Sequence, residues 1–303
     1  MNLNDLPNIL AATAQLDCVD CVSLYFITKD KKAFQPELAP GLQKQLIQLV
    51  LPTLTDSINR NALVPYSPIG CADGEIEAIT SGTVPGVNGF QETIADDRLY
   101  RRMSDLKVGS ISYYCVKVFY SGETVYLFRW FQKMAKLRKG LLTCLVSNEL
   151  RMMESEFLGL DSGVDLVLWG DEILILNHIG LERIFQYKDV FAEKTVEAMR
   201  IISERNVFAN MDRFAEDCQN DVRIMKRFTQ IIAKNSLLLF FDNYSKVPDI
   251  VQALDLDIEF DDQKKLIYRD RSQLQQIAHL LSDDYFRTLL SERTGVAKME
   301  GVL

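Results

Sequence analysis

Apolar residues along this chain recur with two different periods, and each period predicts a different kind of element. Continuous or alternating runs of β-branched and aromatic residues predict strands. The first is CVSLYFIT, Cys21 to Thr28, followed by a polar KDKK turn. ISYYCVKVFY and ETVYLFRWF flank Ser121-Gly122, so Ile111 to Phe131 predicts a β-hairpin with a two-residue turn. That register sets Val118 opposite Val125 and Val116 opposite Leu127 on one side. Lys117 then meets Tyr126, and Tyr113 meets Trp130, on a side expected to be half exposed. VDLVLWGDEILILN, Val164 to Asn177, predicts a second hairpin turning at Gly170-Asp171. It is apolar on both faces and is expected near the middle of a sheet. LDIEF and KLIYR predict a third hairpin around the polar turn Asp261 to Lys264.

The second period is three to four residues. Leu42, Leu46, Leu49 and Val50 predict a helix over Gly41 to Asn59, with Pro52 breaking or bending it. Val190 to Arg205, Asp217 to Lys234 and Arg271 to Glu292 are the clearest helices. The last aligns Leu274, Ile277, Ala278, Leu281, Tyr285 and Leu289 in one stripe, with Asp270 and Gln273 as a capping box and Gly295 at the far end. Asn61 to Gly89 is rich in glycine and proline, with strand-like pieces near Leu63 and Ile76. Gly82 to Gly89 is expected to be a mobile loop. Strands and helices do not alternate as βαβ units. The expected class is therefore α+β: a largely antiparallel sheet built from hairpins, with helices packed on one face and a helical C-terminal part. Ser155 to Gly163 turns polar and gains glycine. It marks an expected boundary between an N-terminal α+β region with the basic hairpin, 1–155, and a C-terminal α+β domain, 156–303. One interwoven domain is the alternative.

Composition changes this picture little. The chain has 303 residues, 48% hydrophobic and 25% charged, which fits a globular protein with a sizeable core. Its longest aliphatic and aromatic run, Leu237 to Phe241, is far short of the roughly 20 residues that cross a bilayer. MNLNDLPNIL has neither the basic start nor the apolar stretch of a signal peptide, so a cytoplasmic protein is expected unless a membrane partner holds it. The cysteines Cys18, Cys21, Cys71, Cys115, Cys144 and Cys218 are scattered and expected to be reduced. Cys18 and Cys21 form a CxxC that leads into a strand and has no second pair to complete a zinc site.

Charge changes it more. The net charge is −8, yet Arg98 to Gly140 holds ten cations and two carboxylates, a net of +8 that leaves −16 for the remainder. FRWFQKMAKLRKG, Phe128 to Gly140, sets five of these cations among Trp130, Phe131, Met134 and Leu137. Cations neutralise phosphate by releasing counterions, and aromatics stack on exposed bases. Charge alone leaves three readings open: nucleic acid, an acidic protein partner, or a solvated strand end.

Other chemistry is sparse. No Gly-Lys pair exists, which excludes a phosphate-binding loop. His178 and His279 are the only histidines, no Gly-x-Ser-x-Gly elbow accompanies them, and both are expected to be structural. Pro248-Asp249 followed by Glu259 hints at a metal-dependent nuclease, but Asp261 stands where its lysine belongs. Asp255, Asp257, Glu259, Asp261 and Asp262 read more simply as the solvated face and turn of the third hairpin. No metal or other cofactor is expected.

One pattern points to a family. VDLVLWGDEILILN passes through HIG into LERIFQY, Val164 to Tyr187, and resembles the KwaB-type soluble subunits of the bacterial Kiwa anti-phage defence system. The resemblance covers mainly Leu160 to Leu290, and more loosely Ile111 to Phe131. It implies a protein that partners with a membrane-embedded subunit, binds DNA, and limits phage replication and late transcription. It carries over no catalytic residue. The DNA contacts are chosen from charge distribution alone: Arg129, Lys133, Lys136, Arg138 and Lys139, widened by Arg101 and Arg102. Little sequence selectivity is expected, and a homodimer or higher homo-oligomer would bring basic patches together. The alternatives are a metal-dependent nuclease effector and a non-catalytic scaffold docking an acidic partner.

Overall fold

The computed structural model describes residues 5–15, 21–39, 41–95, 103–131, 143–146, 149–152, 158–288 and 293–296. The chain forms two units, 1–65 with 73–187 and 66–72 with 188–303. In the first, α1 (Asp5–Gln15) precedes β1 (Val22–Thr28) and β2 (Ala33–Phe34). Then follow α2 (Leu42–Arg60), β3 (Ala62–Pro65), β4 (Glu75–Thr80) and α3 (Pro85–Ala95). Three hairpins come next: β5 (Ile111–Tyr120) with β6 (Glu123–Trp130), β7 (Thr143–Val146) with β8 (Glu149–Met152), and β9 (Leu166–Trp169) with β10 (Glu172–Ile175). Helix α4 (His178–Ile184) closes the unit.

Eight of these strands form one sheet in the order β2-β1-β5-β6-β9-β10-β4-β3. All its neighbours are antiparallel except β3 and β4. Ser121 and Gly122 take positive φ, 51° and 86°, the turn geometry whose twist matches that of the strands it joins. The turn fixes the expected register, with Val118 opposite Val125 and Tyr113 opposite Trp130. The apolar β9–β10 hairpin lies mid-sheet, as expected.

Helices cover both faces, not one. Leu10 of α1 and Ile47 and Leu54 of α2 share a core with Val116, Val118, Leu127 and Val167. On the opposite face, Phe90 of α3 and Phe185 beyond α4 meet the Phe128 ring at centroid distances of 4.8 and 5.1 Å. Phe128 is fully buried there, which stabilises the unit by roughly 1.5–3 kcal/mol. On this face Tyr113 and Phe128 are buried, while Lys117, Tyr126 and Trp130 are half-buried, close to the half-exposed side expected.

Gly82–Gly89 is not a loop. Pro85 occupies the first position of α3, and Val87, Phe90 and Ile94 bury one stripe of it. The glycine at 86 serves packing, since a Cβ there would lie 2.7 Å from the Phe185 carbonyl oxygen. Helix α2 runs through Pro52 without a break. The boundary expected at 155/156 falls inside the first unit, because β9 and β10 complete its sheet.

The second unit is mainly helical: α5 (Lys188–Arg205), α6 (Met211–Gln219), α7 (Val222–Lys234), α8 (Ser236–Asp242) and α9 (Val247–Ala253). The small hairpin β11 (Glu259–Phe260) with β12 (Leu266–Ile267) follows, then α10 (Leu274–Ser282) and the strand pair β13 (Tyr285–Arg287) and β14 (Thr294–Val296). The helix expected over Asp217–Lys234 is two helices. Asp221 starts the second by accepting from the Arg223 and Ile224 amides at 2.8 and 3.3 Å. The helix expected to reach Glu292 stops at Ser282, where Asp283 turns left-handed at φ 58°. Its stripe of Leu274, Ile277, Ala278 and Leu281 is buried as expected, while Tyr285 and Gly295 belong to strands and Leu289 lies outside the described residues. Asp270 caps the Ser272 amide at 2.9 Å, but Gln273 accepts from Arg269 N and so departs from a capping box.

The expectation of reduced cysteines fails at Cys21, which is disulfide-bonded. Cys71, Cys115 and Cys218 are free. Burial pushes the Cys115 and Cys218 thiols up, which makes them poor nucleophiles. Cys18 and the Cys144 side chain lie outside the described residues.

Candidate nucleic-acid interface

Of the basic segment, β5 and β6 lie in the sheet, and Asp165 determines how the end of β6 is held. Asp165 begins the apolar run of β9 and is fully buried. Its amide donates to the Phe128 carbonyl at 2.8 Å, and its carbonyl accepts from the Leu176 and Asn177 amides at 2.9 and 3.0 Å. Its carboxylate faces the strand end. Oδ2 accepts from the Trp130 amide at 2.6 Å, and Oδ1 accepts from Arg129 Nη1 at 2.9 Å and Asn177 Nδ2 at 2.7 Å. A buried carboxylate without such donors would be strongly unfavourable, so the cluster is satisfied as a unit or not at all.

Asp161 completes the clamp. Arg129 donates to it through Nε at 2.9 Å and Nη2 at 2.8 Å, the two-point geometry that suits guanidinium and carboxylate. The Gly163 amide donates to the same carboxylate at 3.0 Å. Hydrogen bonding to Asp161 raises the Arg129 pKa further above its ordinary value. Burial pushes the Asp161 carboxyl up, but the hydrogen bonds and charge of Arg129 hold it below its ordinary value.

Two glycines make room for this arrangement. A Cβ at Gly163 would lie 2.6 Å from Arg129 Cζ, and one at Gly180 would lie 2.6 Å from the Asp165 Cβ. The VDLVLWGDEILILN-HIG run therefore contains three members of the cluster, Asp165, Asn177 and Gly180. Sequence reading treated that run as purely apolar and missed them.

The residues expected to bind DNA divide into two groups. Arg129 is 20% exposed, and the structure gives it two carboxylate partners where an open face was expected. Arg101, Arg102, Lys133, Lys136, Arg138 and Lys139 lie outside the described residues.

The structure also adds cations that sequence reading passed over. Arg183, on α4, lies over the Trp130 ring with its Cζ 5.1 Å from the centroid. Arg183 lines a cleft of about 340 Å³ with Tyr113, Lys29 and Lys31. The two lysines belong to KDKK, legible only as a turn. Nothing in the sequence shows that β1 brings them to the same cleft as Arg183.

The remaining candidates hold structural positions. His178 Nδ1 lies 3.1 Å from Glu77 Oε2, and His279 Nδ1 lies 2.9 Å from Asp284 Oδ2. Asp249 lies on α9, whereas Glu259 lies on β11 and pairs with Arg269 at 3.3 Å. Among the described residues, no group of three or more His, Cys, Asp or Glu is placed to hold a metal ion. No helix among them is long and apolar enough to cross a membrane.

A family model described as Kiwa protein KwaB-like matches residues 108–291, more than half of the chain. The match begins just before β5 and includes Arg129, Asp161, Asp165, Asn177 and Gly180. No curated protein and no solved structure matches the chain. The chain belongs to the KwaB-like family, and with it to the Kiwa proteins of anti-phage defence.

Proposed function

We propose that this KwaB-like chain is a DNA-binding defence effector that works with a membrane-embedded partner to block phage replication and late transcription. The observation that carries the reading is the net charge of +8 between Arg98 and Gly140 in a chain of net charge −8. Arg101, Arg102, Lys133, Lys136, Arg138 and Lys139 contact phosphate in this reading. Arg129, engaged by Asp161 and Asp165, holds the strand end that precedes Lys133, Lys136, Arg138 and Lys139 in sequence. Lys29, Lys31 and Arg183 extend the positive field along the neighbouring cleft. Phosphate contacts of this kind carry little sequence information and weaken steeply with salt. The acidic remainder opposes an extended DNA face on one chain. A homodimer or higher homo-oligomer that joins basic patches overcomes this opposition, and association with the membrane partner makes the protein peripheral to the inner membrane.

A gel-shift titration across salt concentrations tests the reading. Wild type binds duplexes of unrelated sequence with similar affinity, and log K falls linearly with log salt. The Lys136→Glu, Arg138→Glu protein binds at least about tenfold more weakly with a shallower salt slope. Unchanged affinity in that protein removes the segment from the account. Plasmid cleavage with Mg²⁺ or Mn²⁺ that is lost in Asp249→Ala or Glu259→Ala would replace binding with nuclease action. Retention by an acidic protein partner without DNA affinity would favour a scaffold.

A further inference from the structure

The second unit holds a cationic cleft that the DNA reading does not use. It has a volume of about 600 Å³ and is lined by Arg223, Lys226, Arg227 and Arg271 with Ser272 and Gln275; Asp221 is the acid on its wall. Arg223 projects from the first turn of α7. Lys226 and Arg227 follow one turn on, so one helix supplies three of the four cations. In sequence, Met225-Lys226-Arg227 reads only as the polar side of a helix.

Two of the arginines are held in place from behind. Arg271 Nε donates to Asp217 at 2.7 Å, and Asp217 also accepts from the Tyr268 hydroxyl at 2.8 Å. Arg227 pairs with Asp284, which His279 Nδ1 meets at 2.9 Å. Tyr268 and His279 are buried. Each guanidinium is thus oriented by a carboxylate that a buried side chain fixes in turn, which lowers the entropy cost of meeting a ligand. Lys226 is positioned differently, with its ammonium 5.6 Å from the Phe191 centroid.

We infer that this cleft binds a small molecule carrying two or more phosphate groups, such as an inorganic or nucleoside oligophosphate. Planar guanidinium groups suit phosphate oxygens two at a time. With Asp217 on Arg271, Asp284 on Arg227 and Asp221 on the wall, four cations still outnumber three acids, and their placement on α7 and at Arg271 suits a ligand with more than one anionic group. Shape separates a small ligand from a duplex. The volume lies within the usual small-molecule range of about 300–1,000 Å³. The Arg227 side chain is only 16% exposed. A convex DNA backbone does not reach a recessed group that a compact anion entering the cleft can meet.

Titration calorimetry on the full chain tests this, with inorganic pyrophosphate and ATP as probes and orthophosphate as the single-phosphate control. Wild type binds pyrophosphate and ATP saturably and orthophosphate at least about tenfold more weakly, as expected when several cations act on one ligand. Arg223→Glu with Lys226→Glu removes that binding. Circular dichroism melting confirms that the variant is folded, and the milder Arg223→Ala weakens binding without the same folding risk. The Lys136→Glu, Arg138→Glu protein keeps its pyrophosphate affinity, so failure of the DNA reading and failure of this one are distinguishable. Absence of saturable pyrophosphate and ATP binding by wild type up to millimolar concentration overturns the inference. So does binding that the cleft substitutions leave unchanged. Loss of duplex affinity in the cleft variant, with no pyrophosphate binding by wild type, also overturns it and assigns the cleft to the DNA surface.

Discussion

The two ends of the β5–β6 hairpin are held by opposite means. At the turn, Ser121 and Gly122 meet the geometric demand by themselves, with positive φ at both positions and no Cβ neighbour within 4 Å of Gly122. At the open end, the chain relies on Asp165, which lies 35 residues beyond Trp130 and receives its amide. One end is local backbone chemistry and the other is a buried, charged, long-range contact. They should fail differently, because a turn residue changes one backbone preference whereas a buried carboxylate leaves several donors unsatisfied when it is lost.

The largest expected effect is therefore at Asp165. Asp165→Ala removes the acceptor of Arg129 Nη1, the Trp130 amide and Asn177 Nδ2, although Arg129 keeps Asp161, and should destabilise the protein by about 3–5 kcal/mol in chemical denaturation, roughly 1–3 kcal/mol for each buried donor left unsatisfied. It should also speed hydrogen exchange at Trp130. A loss below about 1 kcal/mol would mean that the strand end is held by packing alone. Next comes Gly180→Ala, whose new methyl meets the Asp165 Cβ at 2.6 Å. Crowding of this kind costs about 1–3 kcal/mol, and the same denaturation curves measure it. At the turn, Gly122→Ala imposes a left-handed conformation on alanine at φ 86°, for about 1 kcal/mol. If Gly122→Ala cost more than Asp165→Ala, the contrast between the two ends would be wrong.

The smallest effect is a pH dependence. Asp161 has a folded pKa below its ordinary 3.8. Its contribution is complete above the ordinary value and disappears as pH falls through the lower folded one. The stability difference between wild type and Asp161→Asn should be constant near neutrality and shrink below about pH 4. It should stay under about 1 kcal/mol, because the Asp161 side chain is 55% exposed and solvent screens the pair. A difference that grows on acidification would contradict the assigned direction.

The same distinction explains what the sequence revealed. The β5–β6 register was legible because Ser121-Gly122 lies between two strong strand patterns and any one-residue slip would turn Val116 and Val118 away from the core. The mid-sheet position of β9–β10 followed from apolar residues on both faces. Helix α3 was hidden because its glycines imitate a loop, while the reason for Gly86, close approach to Phe185, lies about 100 residues away. The stop at Asp283 was hidden because the apolar stripe continues past it in period. In the candidate interface, the concentration of cations was visible, but the carboxylates that engage Arg129 were not. Asp161 and Asp165 look like ordinary punctuation around an apolar hairpin until the fold brings them to the end of β6.

The order of strands also sets a schedule for synthesis. Thr80 of β4 pairs with Glu172 of β10, which follows it by 92 residues. At ribosomal rates of about 5–20 residues per second, β4 leaves the exit tunnel about 5–18 s before its partner. During that interval a nascent chain presents the Ile76 strand with one side unfilled, open to chaperones or to a neighbouring ribosome's product. Slowed translation between residues 80 and 172 should therefore lower the soluble yield more than equal slowing after residue 188, where long-range partners lie closer in sequence, as Asp217 and Arg271 do at 54 residues apart.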